Sequence, residues 1–414
     1  MLKTLGRLNT PLNRNIFYNS AGSFAYWFFQ YILTIVILWV KGAEDAGIYS
    51  LAYGFANIFT SISLFGMMGY QICDVTGRHT DGTYVAARIC TSAAALFCFA
   101  AALFFTDFSG VTLVCCSILM LYKILEGIDL VYLCVLQKFE NYKVIGISNC
   151  VKGVLPFLAF CTTLYFFELP QAIAAMTAAY LFVFVLFDFP YVTRRSVRFT
   201  GTVVKRDIIN VLLPSFMLVI CDMAHFFMIF FCRYVVEKTY SVKELGYFSS
   251  ITLIMTIFKM LSDPVINVFI PGLSRLYAKK QYSLIKRMTF RMGMCVAVGT
   301  VAVCLSSFVW GRFALKLVFG EKILAYSHLL PPTLLASCFL LGRCVLSSVL
   351  VAVQNRAAVL VSGIAAALAV ILICSALTRR FYMNGPIYSL IVAFALQGVI
   401  LLGALLYSLR NARR

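Results

Sequence analysis

Charged residues are scarce in this chain of 414 residues, and acidic residues are the scarcest of them. Asp, Glu, Lys and Arg together make up 12% of the sequence, and 35 basic residues stand against only 16 acidic ones. A soluble domain carries about 25% charged residues. The sequence therefore excludes an ordinary soluble protein, and its 62% share of hydrophobic residues supports the same exclusion.

Catalytic and metal-binding motifs are also lacking. The sequence contains no HExxH, GxSxG or Walker A pattern, and none of its 15 cysteines forms a CxxC pair. Those patterns supply zinc ligands, a serine nucleophile, a phosphate cradle and a redox pair, respectively. We therefore predict a protein that is not an enzyme and that has no metal site and no cofactor. The missing nucleotide-binding loop also argues against ATP-driven transport by this chain alone.

Long apolar segments are what the sequence has instead. The mean hydropathy is +0.92, and apolar runs long enough for a helix to cross a bilayer recur along the whole chain. The alternating pattern of barrel strands does not occur, so these runs predict a helical bundle. We predict twelve spans, near residues 16–40, 47–72, 84–105, 110–136, 143–167, 170–193, 207–234, 246–270, 286–310, 324–353, 356–378 and 385–409.

Basic residues indicate how the spans are oriented. An even number of spans places both termini on one side, and the connections on that side hold more than twice as many Lys and Arg residues as the opposite ones. Because cytoplasmic loops are rich in basic residues, we predict that both termini are cytoplasmic. This count assigns Arg88 to the cytoplasmic side and Arg233 to the opposite side. The N-terminal segment lacks the apolar core of a signal peptide and is expected to be retained.

The two halves of the sequence resemble each other. The segment EDAGIYSLA at 44–52 aligns with KELGYFSSI at 243–251, which pairs Gly47 with Gly246. Six spans in each half would enter the membrane in the same direction, which is the plan of a transporter with its site between two repeats. We predict an N-terminal six-helix lobe (1–193), a cytoplasmic linker (194–206) and a C-terminal six-helix lobe (207–414).

A few ionisable side chains lie inside the predicted spans. Such a group near the bilayer centre costs at least about 2.5–3.5 kcal/mol, so each one needs a partner or a function. Lys123, Glu126 and Asp129 share one side of the fourth span, where Lys123 and Glu126 are spaced for an i,i+3 ion pair. The others, in chain order, are Lys152, Asp188, Asp222, His225, Lys259, Asp263 and Arg343.

The cations among them predict an anionic passenger. Arg binds phosphate through two hydrogen bonds and Lys binds it as a point charge, so we assign substrate binding in a cationic cavity to Lys123, Lys152, Lys259 and Arg343. We assign ion coupling or charge pairing to Glu126, Asp129, Asp222, His225 and Asp263. Local alternatives stay open. Lys259 and Asp263 have i,i+4 spacing, and His225 can be a satisfied bundle histidine. Arg343 has no acid nearby on its own span.

Several stretches resemble Wzx-type polysaccharide flippases of the multidrug/oligosaccharidyl-lipid/polysaccharide (MOP) exporter superfamily. The resemblance rests on the order and spacing of loose motifs along most of the chain. Among them are AGIYSLAYGFANIFTSISLFGMMGYQICDVTGR at 46–78, KILEGIDLVYLCVLQKFENYKVIGISNCVKG at 123–153, LLPSFMLVICDMAHFFMIFFCRYVVEKTYSVKELGYFSSI at 212–251 and PGLSRLYAKKQYSLIKRM at 271–288.

The resemblance implies an all-α, MATE-like membrane protein of about twelve transmembrane helices in two six-helix lobes around a central cavity. It implies a flippase that moves polyprenyl-pyrophosphate-linked oligosaccharide units of O-antigen or capsule across the bacterial cytoplasmic (inner) membrane by ion-coupled alternating access. Expected partners are the undecaprenyl-pyrophosphate-linked oligosaccharide, membrane lipids and the polysaccharide polymerase and chain-length machinery, without nucleic acid. The alternatives are a multidrug or cation exporter of the same superfamily and a membrane-embedded polysaccharide polymerase.

Overall fold

The computed structural model describes residues 11–74, 79–108, 110–194, 205–353 and 355–411. Across these ranges the chain is α-helical apart from short 3₁₀ and π segments and connections, and the ranges include no strand. Each of the twelve predicted spans lies in helical structure, although those near 47–72, 170–193, 207–234 and 324–353 extend over more than one segment. The all-α prediction is confirmed.

Helices follow one another along the chain with short connections. Those of the first half are α1 (Pro11–Val40), α2 (Ala43–Leu64), α3 (Met67–Cys73), α4 (Asp81–Leu103), α5 (Gly110–Lys138), α6 (Tyr142–Phe166), α7 (Leu169–Val183), α8 (Phe189–Thr193) and α9 (Lys205–Leu212). Those of the second half are α10 (Phe216–Thr239), α11 (Val242–Ala278), α12 (Tyr282–Phe319), α13 (Leu330–Ala352), α14 (Arg356–Phe381) and α15 (Asn384–Asn411). A π-helical turn (Phe184–Asp188) precedes α8, and 3₁₀ segments precede α10 (Leu213–Ser215) and α13 (Glu321–Leu329).

Ten helical segments within the described ranges are long and apolar enough to cross a membrane. The two remaining predicted spans correspond to α2 and α11, which are helical as well. In α2 every residue from Ala46 to Leu64 is buried or partly buried. A helix that packs against protein on most sides needs no uniformly apolar surface. The polar residues of α2 are therefore compatible with its being a membrane span. The chain is a multi-pass membrane protein.

The predicted span 47–72 is interrupted between α2 and α3. Phe65 and Gly66 have φ values of 47° and 61°, and this left-handed backbone ends α2 at Leu64. The Ser63 carbonyl lies in the last turn, where helical donors are missing. It accepts hydrogen bonds from Arg88 and, at 2.8 Å, from Thr91 of α4. Arg88 is therefore a buried helix residue that caps α2, with a side chain 1% exposed, and its predicted place on the cytoplasmic side stays a prediction.

Arg233 is a second basic residue near the end of a predicted span, and its predicted side of the membrane stays a prediction. It lies inside α10 rather than in a connection, and its Nη1 donates a hydrogen bond to the Ser50 carbonyl of α2 at 3.0 Å. Gly54, one turn further along α2, leaves room for this guanidinium, since a Cβ there would lie 3.3 Å from Nη1. A basic residue near the end of a predicted span is thus not always a loop residue.

The chain divides into two compact units. Unit 1 comprises Met1–Val36 and Phe55–Val219, and unit 2 comprises Ile37–Gly54 and Ile220–Arg414. Each unit has buried apolar clusters. One in unit 1 joins α5, α6, the π turn and α8 through Val135, Leu136, Ile145, Phe184 and Val192. One in unit 2 joins α11, α12, α13 and α15 through Leu273, Ile285, Val349, Leu350 and Leu401.

Within unit 2, the two glycines paired by the internal repeat lie at one close helix contact. A Cβ on Gly47 would overlap the carbonyl oxygen of Val242, and a Cβ on Gly246 would overlap that of Ala43. The first turns of α2 and α11 therefore touch backbone to backbone. Small residues permit such approaches between membrane helices, which explains why both halves carry glycine at this position.

Gly246→Ala is expected to lower the stability of the protein by about 1–3 kcal/mol, the usual range for an overpacked site. The new methyl group would meet a backbone oxygen, so the helices must separate. Gly293→Ala in α12 is the matched control, because a Cβ there meets nothing within 4 Å. Thermal unfolding in detergent measures both variants. Equal unfolding temperatures for the two variants would contradict the assigned contact.

Candidate functional site

The ionisable residues predicted inside the spans gather in two places, one in each unit. The first is called the unit 1 network and is built on α1, α5, α6, α7 and the π turn. The second is called the unit 2 cluster and consists of Asp222, His225, Lys259 and Arg343. The side chain of Asp263 lies outside the described residues, so its pairing with Lys259 stays a prediction.

Lys152 of α6 is the centre of the unit 1 network. Its ammonium forms ion pairs with Asp129 of α5 and, at 3.0 Å, with Asp188 of the π turn. None of these three residues is more than 1% exposed. Tyr180 donates a hydrogen bond to Asp129 Oδ2 at 2.8 Å, and Ser148 donates one to Asp188 Oδ2 at 2.9 Å. The arrangement is a closed ion-pair triad supported by two hydroxyl groups.

The triad contains more acid than base. Its two carboxylates and one ammonium leave one surplus negative charge if all three are ionised. Both carboxylates use Oδ2 for their bonds, while Asp129 Oδ1 and Asp188 Oδ1 are buried without a hydrogen-bond partner among the described residues. A buried unpaired charge is expensive. One proton or one monovalent cation would neutralise the triad.

The rest of the unit 1 network surrounds the predicted Lys123–Glu126 pair, which is present at 2.7 Å. Tyr26 of α1 donates a hydrogen bond to Glu126 Oε1 at 2.7 Å. The hydroxyl groups of Tyr26 and Tyr122 are 3.2 Å apart, and the ring of Tyr122 meets that of Tyr180 at 5.3 Å. The side chain of Glu126 is 18% exposed and that of Lys123 only 4%. Glu126 is therefore the more accessible member of the pair.

The unit 2 cluster has a different character because the protein encloses its side chains less, and it is called open in that sense. Arg343 Nη2 of α13 lies 3.1 Å from Nδ1 and 3.3 Å from Nε2 of His225 in α10. A guanidinium only donates hydrogen bonds, so the imidazole nitrogen that pairs with it must accept and His225 is neutral. Asp222 is within electrostatic range of Arg343 and of Lys259 in α11. Asp222 is exposed, and the other three residues are partly exposed.

The structure thus separates the four predicted cations. Lys123 and Lys152 lie in the closed unit 1 network, each in an ion pair with a carboxylate. Arg343 and Lys259 lie in the open unit 2 cluster. Arg343 also stands 5.6 Å above the ring of Phe394 in α15. Arg343 has no acid on its own helix, as predicted, but the fold supplies Asp222 and His225 from α10.

Sequence reasoning missed several members of the unit 1 network. It gave no role to Tyr26, Gln30, Tyr122 or Tyr180, and it recorded Asp188 as an intramembrane acid without assigning it a site. Gln30 donates to the Tyr122 hydroxyl, which completes a link from α1 to α5. A signal was available, since Tyr26 and Gln30 are polar residues with i,i+4 spacing in an apolar span.

Comparisons with known proteins agree on the fold. No family model matches the chain. It is 24% identical over 301 residues to a capsular polysaccharide biosynthesis protein, CapF of Staphylococcus aureus. The aligned region makes up 71% of this chain and 74% of CapF. The structure resembles a single-residue mutant of the MATE transporter VcmN of Vibrio cholerae, with a TM-score of 0.63 and 14% identity over 97% of this chain and 96% of that one.

The lipid II flippase MurJ, in an inward closed conformation, is similar as well. Its TM-score is 0.70, with 10% identity over 96% of this chain and 90% of MurJ. These structural neighbours are transporters and flippases. At these identities the structural likeness shows the fold, and it confirms the predicted MATE-like, all-α fold.

Proposed function

From the fold shared with MATE transporters and MurJ and the likeness to a capsule biosynthesis protein, we propose that this protein is a flippase. Its substrate is a polyprenyl-pyrophosphate-linked oligosaccharide, which it moves across the bacterial cytoplasmic membrane for surface polysaccharide synthesis. Both termini lie in the cytoplasm. Translocation proceeds by ion-coupled alternating access, and a polysaccharide polymerase uses the product on the outer side.

The observation that carries this proposal is the open unit 2 cluster. Arg343 and Lys259 are cations inside membrane-spanning helices, and both are partly exposed. The guanidinium of Arg343 matches a phosphate group in shape and charge, and Lys259 adds a point charge. His225, as a neutral imidazole, orients the guanidinium. A pyrophosphate is therefore a better ligand for this cluster than a cationic drug.

The unit 1 network supports the second part of the proposal, which is ion coupling. Lys123 and Lys152 are each buried in an ion pair with a carboxylate, so we propose a coupling role for both in place of the predicted substrate binding. Lys152 forms ion pairs with both Asp129 and Asp188. Because the triad has one surplus negative charge, it can bind one proton or one monovalent cation. Binding and release of that cation would change the net charge of a buried site, which provides the energetic bias that transport requires.

A strain that lacks this protein provides the test of flipping. We expect loss of surface polysaccharide and accumulation of complete lipid-linked units on the cytoplasmic face of the membrane. Complete but unpolymerised units on the outer face would contradict the proposal and support a polymerase. Normal polysaccharide together with new sensitivity to cationic drugs would instead support a multidrug exporter.

Asp188→Asn is expected to uncouple translocation from the ion gradient, because it leaves Lys152 and Asp129 as a neutral pair without surplus charge. The measurement uses proteoliposomes and the lipid-linked oligosaccharide that accumulates in the deletion strain, with imposed proton or sodium gradients. Asp107→Asn is the control, since Asp107 is an exposed carboxylate of the same unit. Gradient stimulation that survives in Asp188→Asn would remove the triad from coupling.

A further inference from the structure

A pocket of about 360 Å³ opens at one end of unit 2. It is formed where three connections meet, namely α10–α11, the 3₁₀ segment before α13 and α14–α15. Its lining includes Tyr240, Glu244, His328, Phe381, Tyr382 and Asn384. None of them belongs to the unit 2 cluster. Sequence reasoning left His328 without a role and predicts this end of the helices to be extracytoplasmic.

Two exposed aromatic side chains belong to the lining of the pocket. Tyr382 is 73% exposed and Phe381 is 42% exposed. The backbone of Tyr382 has φ 54° and ψ −140°, a conformation that costs a non-glycine residue about 1–3 kcal/mol. Such strain persists where surrounding structure imposes it, and it is concentrated at ligand sites. Here the strained residue is one of those that line the pocket.

Polar side chains of Glu244, His328 and Asn384 complete the lining. Glu244 brings a carboxylate close enough to Tyr240 to interact electrostatically. His328 is exposed and adds a ring that both donates and accepts. A ligand with several hydroxyl groups satisfies this set, whereas an apolar ligand does not.

The combination differs from an interfacial aromatic belt. Belt residues place tyrosine and tryptophan rings among lipid headgroups on a convex surface. In this pocket, aromatic rings, a carboxylate and an imidazole line one concave site, which is the arrangement of a small-molecule site. A pyranose ring has an apolar C–H face that stacks on an aromatic ring and an equatorial belt of hydroxyl groups. The sugar therefore matches both the aromatic and the polar residues of the lining.

We propose that this pocket is a saccharide-binding site that takes an uncharged hexopyranose unit. Its natural ligand is a sugar of the transported oligosaccharide on the outer face of the membrane, and that part rests on the proposed flippase function. Capture of the sugar after translocation would disfavour its return. The site is separate from the cationic residues that we assign to the pyrophosphate.

Saturation-transfer NMR on the purified full-length protein in detergent tests the site directly. The probes are methyl glycosides of glucose, galactose and N-acetylglucosamine. We expect saturation transfer to at least one of them, and at least tenfold weaker binding in Tyr382→Gly and in Glu244→Gln. Tyr382→Gly removes the ring while relieving the left-handed backbone, so the variant is expected to fold. Phe105→Ala, at a residue that is 90% exposed in unit 1, is the matched control and is expected to bind like the wild type.

The results distinguish this inference from the proposed function. Absence of binding to all three glycosides, or equal binding in Tyr382→Gly and the wild type, overturns the saccharide site even if flipping is intact. Binding that is lost in both pocket variants but persists in Arg343→Ala supports a separate site. If the deletion strain flips its lipid-linked units normally while the glycosides still bind, the flippase function fails and the saccharide site stands.

Discussion

Replacing Lys152 by methionine is expected to be the most destabilising single change in unit 1, at about 3–5 kcal/mol. The change removes the ammonium that forms ion pairs with both Asp129 and Asp188, and all three residues are no more than 1% exposed. Two carboxylates would remain buried side by side without that cation. We expect a large fall in the unfolding temperature in detergent and a low yield of folded protein.

The matched control removes all three charges at once. Lys152→Met combined with Asp129→Asn and Asp188→Asn keeps similar side-chain volumes but leaves no uncompensated charge. Because a buried ion pair replaced by neutral groups is often nearly neutral in stability, the triple variant is expected to recover most of the loss. The single variant is also expected to be less destabilised at low pH, where protonation neutralises the carboxylates. Equal stability losses in the single and triple variants would show that packing, rather than charge, explains the role of Lys152.

The helices themselves could be predicted because apolar length is a local property of sequence. All twelve predicted spans lie in helical structure, but the ends and interruptions of these helices were harder to predict from the sequence. The left-handed residues Phe65 and Gly66 divide one predicted span, and a π-helical turn at Phe184–Asp188 interrupts another. Both features depend on tertiary partners. The break after α2 is stabilised by Arg88, which lies on a different helix.

Pairing within a helix was predictable, whereas pairing between helices was not. Lys123 and Glu126 are three residues apart, and their ion pair follows from helix geometry alone. Lys152 and Asp188 belong to different helices from Asp129, so their contact depends on the rotation of α5 and α6 and on the π turn. Hydrophobic periodicity defines such rotation poorly in a helix that is apolar on nearly all sides.

The same reasoning applies to unit 2. Composition identified Asp222, His225, Lys259 and Arg343 as intramembrane ionisable residues, and the fold brings them together from three helices. The pocket at the end of this unit was invisible to sequence analysis, because its residues come from three separate connections. Aromatic residues near span ends have an ordinary explanation as membrane-interface residues, and only their convergence with polar groups of the pocket distinguishes them.

Arg343→Ala is expected to reduce translocation at least tenfold while leaving the abundance of the protein unchanged. A hydrogen bond to a charged group contributes about 1.5–3 kcal/mol, and about 1.4 kcal/mol corresponds to a factor of ten. Arg343 is partly exposed, and its side chain contacts His225 and Phe394. Loss of Lys152 leaves two carboxylates of the triad fully buried without their cation. Loss of the Arg343 side chain leaves no carboxylate enclosed in that way. Surface polysaccharide in the complemented deletion strain, measured beside membrane protein levels, reports the effect.

Two further variants separate charge from geometry at this position. Arg343→Lys keeps the positive charge but loses the planar, bidentate donor, so intermediate activity is expected if the ligand is a phosphate group. Arg291→Ala is the control, because Arg291 is an exposed arginine on α12 of the same unit and lies outside the cluster. Full activity in Arg343→Ala would remove this residue from the substrate site. Full activity in Arg343→Lys alone would show that the cluster supplies only positive potential, and the bidentate recognition of pyrophosphate would have to be abandoned.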